Sequence, residues 1–231
     1  MKIAISAIAL NEAKHVERFM EAITNECGAD WVYVADTGST DNTVELLEAC
    51  GANVFKISIS PWRFDDARNA ALALLPADID VVVSLDLDEV LQPGWREEIE
   101  RVWTPSTTRL RYGFDWGAGI VFKYEKIFQR KGYRFFGACH EYPVADRLAE
   151  VYADTDMLMV IHKPDPTKSR GQYLDLLRIS IEENPTEPRN AFYYARELSF
   201  ASRWQDAIDQ AQRYLGLSRA TWPNERCYAM R

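Results

Sequence analysis

The stretch Val81, Val82, Val83, Ser84, Leu85, Asp86, Leu87, Asp88, Glu89 constrains the fold of this chain more than any other. Its continuous apolar run offers no face to solvent. It therefore reads as a strand buried on both sides, as in a parallel sheet covered by helices. The run ends at two carboxylates spaced i and i+2, which the alternation of a strand places on one side. Three other runs share this texture: Ile3 to Ala9, Trp31 to Ala35 and Asn53 to Ile57. Between the first two, Val16, Phe19, Met20 and Ile23 recur at i, i+3, i+4 and i+7, one apolar face of a helix from about Lys14 to Glu26. Helices are also expected over Thr43 to Cys50, Asp66 to Leu75 and Gly94 to Val102, with Pro93 suited to the start of the last. Such alternation of strand and helix implies βαβ units, and so an α/β fold with a mostly parallel central sheet.

From about Thr108 the texture becomes aromatic and glycine-punctuated. Short antiparallel strands are expected over Arg109 to Phe114, Ile120 to Phe128 and Tyr133 to Phe136, and a last strand over Met157 to Ile161. The cluster Lys163, Pro164, Asp165, Pro166 marks a boundary. Two domains follow: residues 1–165, and a helical segment 166–231 with helices over Thr167 to Glu183, Arg189 to Ala201 and Trp204 to Leu215. The pairs Tyr194-Ala195 and Tyr228-Ala229 stand 34 residues apart, the tetratricopeptide period, and Ala207 and Ala211 would allow close helix contact. Because such arrays need about three repeats, the segment reads as the start of a truncated repeat. Ordinary packing helices are the alternative.

At 231 residues and 47% hydrophobic content the chain can bury a substantial core. Its net charge of -8 gives no electrostatic footprint for a nucleic-acid backbone. The cysteines, Cys27, Cys50, Cys139 and Cys227, lack metal-site or disulfide-framework spacing and read as free thiols of a cytoplasmic protein. No apolar run has the length of a membrane span, and the first residues lack the pattern of a signal peptide.

Chemistry concentrates in five places. Asp86 and Asp88 converge at a strand end, where they are either solvated or bridged by a hard cation such as Mg²⁺ or Mn²⁺. In open α/β sheets that end is also where ligands bind. Asp36 ends another strand ahead of Thr37, Gly38, Ser39, Thr40 and Asp41. It could accept from a pyrimidine ring N–H, or simply belong to a well-capped loop. Arg68, expected in the first turn of its helix, runs against the dipole preference there, which a diphosphate or an ion pair with Asp65 or Asp66 would explain. His140 and Glu141 lie among aromatic and small residues; Glu141 could serve as a general base oriented by His140. His162 ends the Met157 to Ile161 run, where it could complete a metal shell or merely pack.

Taken together, Leu10-Asn11-Glu12, Asp36-Thr37-Gly38-Ser39-Thr40-Asp41, Ala67-Arg68-Asn69 and Asp86-Leu87-Asp88-Glu89 resemble family 2 glycosyltransferases of the GT-A fold, most of all members followed by tetratricopeptide repeats. The resemblance implies a Rossmann-like sheet with a small antiparallel part and an inverting transfer from a nucleoside-diphosphate sugar, with UDP-sugar the expected donor. It also implies residue roles. Ala9, Asn11 and Glu12 would line the nucleoside pocket and Asp36 would contact the base. Arg68 would face the diphosphate, and Asp88, Asp86 and His162 would hold Mn²⁺ or Mg²⁺. Glu141 would be the catalytic base. Leu10 departs from the basic residue common before Asn-Glu, and Thr104 to Gly137, the expected acceptor side, matches no motif. The acceptor stays open among a protein side chain, a saccharide, a lipid-linked glycan and a modified nucleobase. A sugar-phosphate nucleotidyltransferase would need a glycine-rich basic loop after the first strand, absent from this sequence. A degenerate domain acting as a scaffold through its helical repeat, with a protein partner, is the reading from the binding class.

Overall fold

The computed structural model describes residues 1–25, 28–165 and 171–231. Glu26, the expected helix end, Cys27, Pro166 and the helix start at Thr167 lie outside the described residues. Contacts divide the chain into two compact units: residues 1–136 with 142–166, and residues 137–141 with 167–231.

The first unit opens with β1 (Ile3–Ala9), α1 (Ala13–Thr24), β2 (Trp31–Asp36), α2 (Thr43–Ala49), β3 (Asn53–Lys56), α3 (Phe64–Leu74) and β4 (Val81–Ser84). It continues with β5 (Glu89–Leu91), α4 (Trp95–Val102), β6 (Arg109–Gly117), β7 (Ile120–Gln129), β8 (Tyr133–Phe136), β9 (Tyr142–Ala145) and β10 (Tyr152–His162). The main sheet has the order β3-β2-β1-β4-β7-β6-β10-β5, and β8 and β9 form a separate pair. β1 to β4 run parallel to one another, and β7 joins β4 antiparallel.

Burial on both faces is what makes the first four strands legible. Ile3, Ile5, Ala7 and Ala9 of β1 join Val81 and Val83 of β4 in a core with Val16, Phe19, Met20 and Ile23 of α1. The intervening Ala4 and Val82 belong to a second core with Leu72 of α3, Leu75, Ile79 and Phe128. Alternate residues of one strand thus supply two cores, so both sets are largely apolar, with the small buried Ser6 and Ser84 as exceptions. Each fully buried large side chain contributes about 1.5–3 kcal/mol relative to exposure.

The chain runs from β1 outward through β2 and β3, then returns to place β4 on the other side of β1. That reversal, between β1 and β4, is the topological switch point outside which ligands of open α/β sheets bind. The aromatic region forms the β6–β7 hairpin, closed by Gly117, Ala118 and Gly119, all at positive φ. Two elements were not expected. β5 pairs antiparallel with β10, setting Glu89 opposite His162, and β9 pairs with β8. β10 also starts five residues before the expected Met157.

The second unit contains α5 (Tyr173–Glu183), α6 (Pro188–Phe200), α7 (Trp204–Gly216) and α8 (Pro223–Ala229). Pro188 and Pro223 each open a helix, where a missing N–H costs nothing. Ala191, Phe192, Tyr214 and Ala220 form its core. Residues 137–141, expected within the first domain, group with these helices. No helix among the described residues is long and apolar enough to cross a membrane.

Candidate functional site at the carboxyl ends of the parallel strands

β1, β2 and β4 deliver their C-terminal ends to the same edge of the sheet. The loops after β1 and β2 are sewn together there. Ala9 C=O accepts from Thr37 N–H at 2.9 Å, and Asn11 N–H donates to Ser39 Oγ at 2.9 Å. Asn11 Oδ1 accepts from Thr40 N–H at 2.8 Å and Asp41 N–H at 3.3 Å, while Glu12 N–H donates to Thr43 Oγ1 at 2.7 Å. Asn11 has a left-handed backbone, φ 54°, a conformation asparagine tolerates better than most residues. Asp36 is buried; its carboxylate accepts from Gly38 N–H and Ser39 N–H, each at 3.2 Å. Ala9, Asn11 and Asp36, expected at a nucleoside, therefore build the loop pair that floors this edge.

The structure corrects the reading of Arg68. α3 begins at Phe64, two residues earlier than expected, so Asp65 and Asp66 occupy its first turn and Arg68 lies in the second. The expected conflict with the helix dipole disappears. Asp65 pairs with Arg63 at 2.9 Å. Arg68 is only 3% exposed; it donates to Leu85 C=O at 3.2 Å and forms an ion pair with Asp86, 18 residues along the chain. Its guanidinium faces this carboxylate and the Phe135 ring.

Asp86 and Asp88 likewise separate. Asp86 lies between Arg68 and Lys126 Nζ at 3.5 Å, with its side chain 38% exposed. Burial opposes its ionisation, but the two cations outweigh it and hold the carboxyl well below the usual range. Glu89 Oε2 accepts from Asp86 N–H at 2.9 Å. Burial pushes the Glu89 carboxyl up to about 7, with Lys126 acting against the rise and Asp86 adding to it. Asp88 faces the other way: its Oδ2 lies 3.4 Å from His162 Nε2. The β5–β10 pairing enforces this approach, and Lys163 N–H donates to Asp88 C=O at 2.7 Å. Burial lowers the imidazole's proton affinity, yet Asp88 holds His162 above its ordinary value.

Asp86, Asp88 and His162 were expected to share a metal. Among the described residues no group of three or more His, Cys, Asp and Glu side chains is placed to hold a metal ion. Asp88 and His162 are the two placed to do so together: at 3.4 Å their facing atoms fit neighbouring positions in a shell with bonds of roughly 2.0–2.2 Å. Mg²⁺ is commonly held by one or two carboxylates, with waters and substrate phosphates filling the other positions.

Sequence reasoning missed Lys126, the buried one of three charged residues, with Lys123 and Glu125, in an otherwise largely apolar and aromatic hairpin strand. It also left the aromatic residues unsorted. Tyr112 and Tyr133 are buried in the core, whereas Trp116 is 50% exposed and stands against His162 with ring centroids 4.5 Å apart. In the second unit, the ring of His140, expected to orient Glu141, stacks on Tyr193 of α6 at 4.1 Å.

Carboxylates beyond the switch point of the parallel strands stand where open α/β sheets bind ligands, and comparison with known proteins narrows the class. Residues 5–105 match Glycosyl transferase family 2. An uncharacterized glycosyltransferase of Rickettsia bellii is 33% identical over 102 residues, 44% of this chain and 33% of that protein. The chain thus spans about a third of that relative's length. Among solved structures, S. aureus TarS 1-349 is similar with a TM-score of 0.59 at 13% identity, covering 95% of this chain and 81% of TarS. Glucosyl-3-phosphoglycerate synthase from Mycobacterium tuberculosis, solved with Mg²⁺ and uridine diphosphate, gives 0.53 at 20% identity, covering 71% of this chain and 72% of that one. At these identities the two structures establish the fold. The family match and the named relatives agree on one class, glycosyltransferase.

Proposed function

We propose that the protein is a metal-dependent, inverting glycosyltransferase that takes a UDP-sugar as donor and an acceptor hydroxyl or similar nucleophile. One observation carries the reading: Asp88 and His162 face each other at 3.4 Å beside the switch point of a sheet whose first hundred residues match Glycosyl transferase family 2. The family match, and a fold shared with a synthase solved with Mg²⁺ and uridine diphosphate, support a nucleoside-diphosphate ligand at this edge.

Asp88 Oδ2 and His162 Nε2 would hold Mn²⁺ or Mg²⁺, which when bound would stabilise negative charge on the leaving diphosphate. Asp36 would offer its remaining lone pairs to the base, and the loop pair of Asn11 and Glu12 would floor the nucleoside. Trp116, exposed against His162, would offer an aromatic face to a sugar ring. Glu141 would take the acceptor proton as the acceptor oxygen bonds to the anomeric carbon and the bond to the diphosphate breaks on the opposite face. Buried Arg68 and half-buried Asp86 would act together as an ion pair shaping the site. The α6 to α8 segment would be a tetratricopeptide-like repeat able to engage a protein partner. A cytoplasmic setting would suit the thiols of Cys50 and Cys227, both exposed.

Calorimetric titration of UDP and of GDP, in Mn²⁺ and then in EDTA, tests the proposal. Wild type should bind UDP with Mn²⁺ and lose it in EDTA, and Asp88→Ala should bind at least about tenfold more weakly, since a charge-assisted contact contributes roughly 1.5–3 kcal/mol. Wild-type protein that binds neither nucleotide would sink the reading.

A further inference from the structure

Lys126 is a buried charge beside the proposed metal pair that the assigned chemistry does not use. It is only 5% exposed in the middle of β7, one residue from Ile127, which pairs with Val83 of β4. This register sets its side chain beside the end of β4, where the turn to β5 begins. Its ammonium lies 3.5 Å from Asp86 Oδ2, 3.9 Å from Glu89 Oε1 and 5.2 Å from the centre of the Tyr124 ring. Burying a lysine costs several kcal/mol unless it is paired. Here the pairing is selective, because the ammonium reaches carboxylates at both ends of the 86–89 turn.

We propose that Lys126 is a positioning residue. Together with Arg68 it clamps Asp86 from two sides and reaches Glu89, so the turn holds Asp88 toward His162 and keeps Asp86 away from a cation bound there. The geometry supports this division of labour. Arg68 from α3 takes Asp86 Oδ1, Lys126 from β7 takes Oδ2, and Glu89 closes the turn onto Asp86 N–H. Without the ammonium, Asp86 Oδ2 and Glu89 Oε1 lose the cation that draws the two ends of the turn together, which loosens the turn. Asp88, two residues from Asp86 and next to Glu89, would then leave His162.

The inference rests on the donor-site reading above, and the experiment separates the two. Mn²⁺ alone is titrated by water-proton relaxation and UDP with Mn²⁺ by calorimetry, for wild type, Lys126→Met and Lys126→Arg, alongside metal-free thermal melts. Groups that orient metal ligands typically set about 10–100-fold of metal affinity, so Lys126→Met should weaken both titrations at least about tenfold. Lys126→Arg, which keeps the charge, should recover most of that loss. A merely structural lysine would lower the melting temperature without this split, and arginine would not restore binding. Should Lys126→Met fail to melt cooperatively, Lys126→Gln carries the comparison. Wild type that binds and a folded Lys126→Met that binds equally well would overturn the positioning role alone. Wild type that binds neither Mn²⁺ nor UDP would overturn both readings.

Discussion

Replacing Arg68 with methionine separates a structural ion pair from a ligand contact. The change removes a charge-assisted bond to Asp86 and a hydrogen bond to Leu85 C=O while keeping most of the side-chain volume. Breaking a fully buried ion pair by removing one partner costs about 3–5 kcal/mol. Asp86 is 38% exposed and retains Lys126 at 3.5 Å, so it is not left uncompensated. The expected loss is therefore nearer 2–3 kcal/mol, about the value of one hydrogen bond to a charged group. For a chain of this size that lowers the melting temperature by roughly 4–12 °C. Urea unfolding followed by tryptophan fluorescence measures the loss, and a double-mutant cycle with Asp86→Asn measures the coupling, expected to exceed about 1 kcal/mol. An Arg68→Met protein as stable as wild type that no longer binds UDP would refute the argument, because the guanidinium would then serve a ligand.

Two further predictions use features away from the proposed metal pair. Glu98, largely buried, is hydrogen-bonded by Arg101 at 2.7 Å and by Thr155, and these contacts bring its carboxyl down to about 2 from the ordinary 4.5. A depressed folded-state value adds stability above about pH 4.5 that is lost as pH falls toward 2; the melting-temperature gap between wild type and Glu98→Gln should close over that window, and a gap independent of pH would contradict the assignment. Asn11→Ala should cost more than Asn11→Gly by about 1 kcal/mol in chemical denaturation, because both lose the acceptor for Thr40 N–H but only alanine strains the left-handed backbone at φ 54°. Equal losses would mean that the strain carries no weight.

How far the site could be read in advance depended on the range of the interactions that place each residue. β1 and β8 are readable to the residue, and β2, β3 and β4 to within one, from short apolar or aromatic runs. β5 and β9 are three and four residues long and carry no pattern of their own. They exist because β10 and β8 offer an edge to pair with. The expected place of Arg68 was misled by a local clue, a helix start displaced by two residues. Its real partner, Asp86, becomes its neighbour only when α3 packs beside β4.

The sequence by itself determined the α/β class, the central strands and the convergence of acidic residues at their ends, because burial on both faces and the period of each element leave local marks that folding must respect. The tertiary structure decided which of those charges meet. A carboxylate at a strand end has no fixed partner until the sheet order is set. The β4–β7 and β5–β10 pairings turn Asp86 toward Arg68 and Lys126 and Asp88 toward His162, a division invisible in two acidic residues spaced by one leucine.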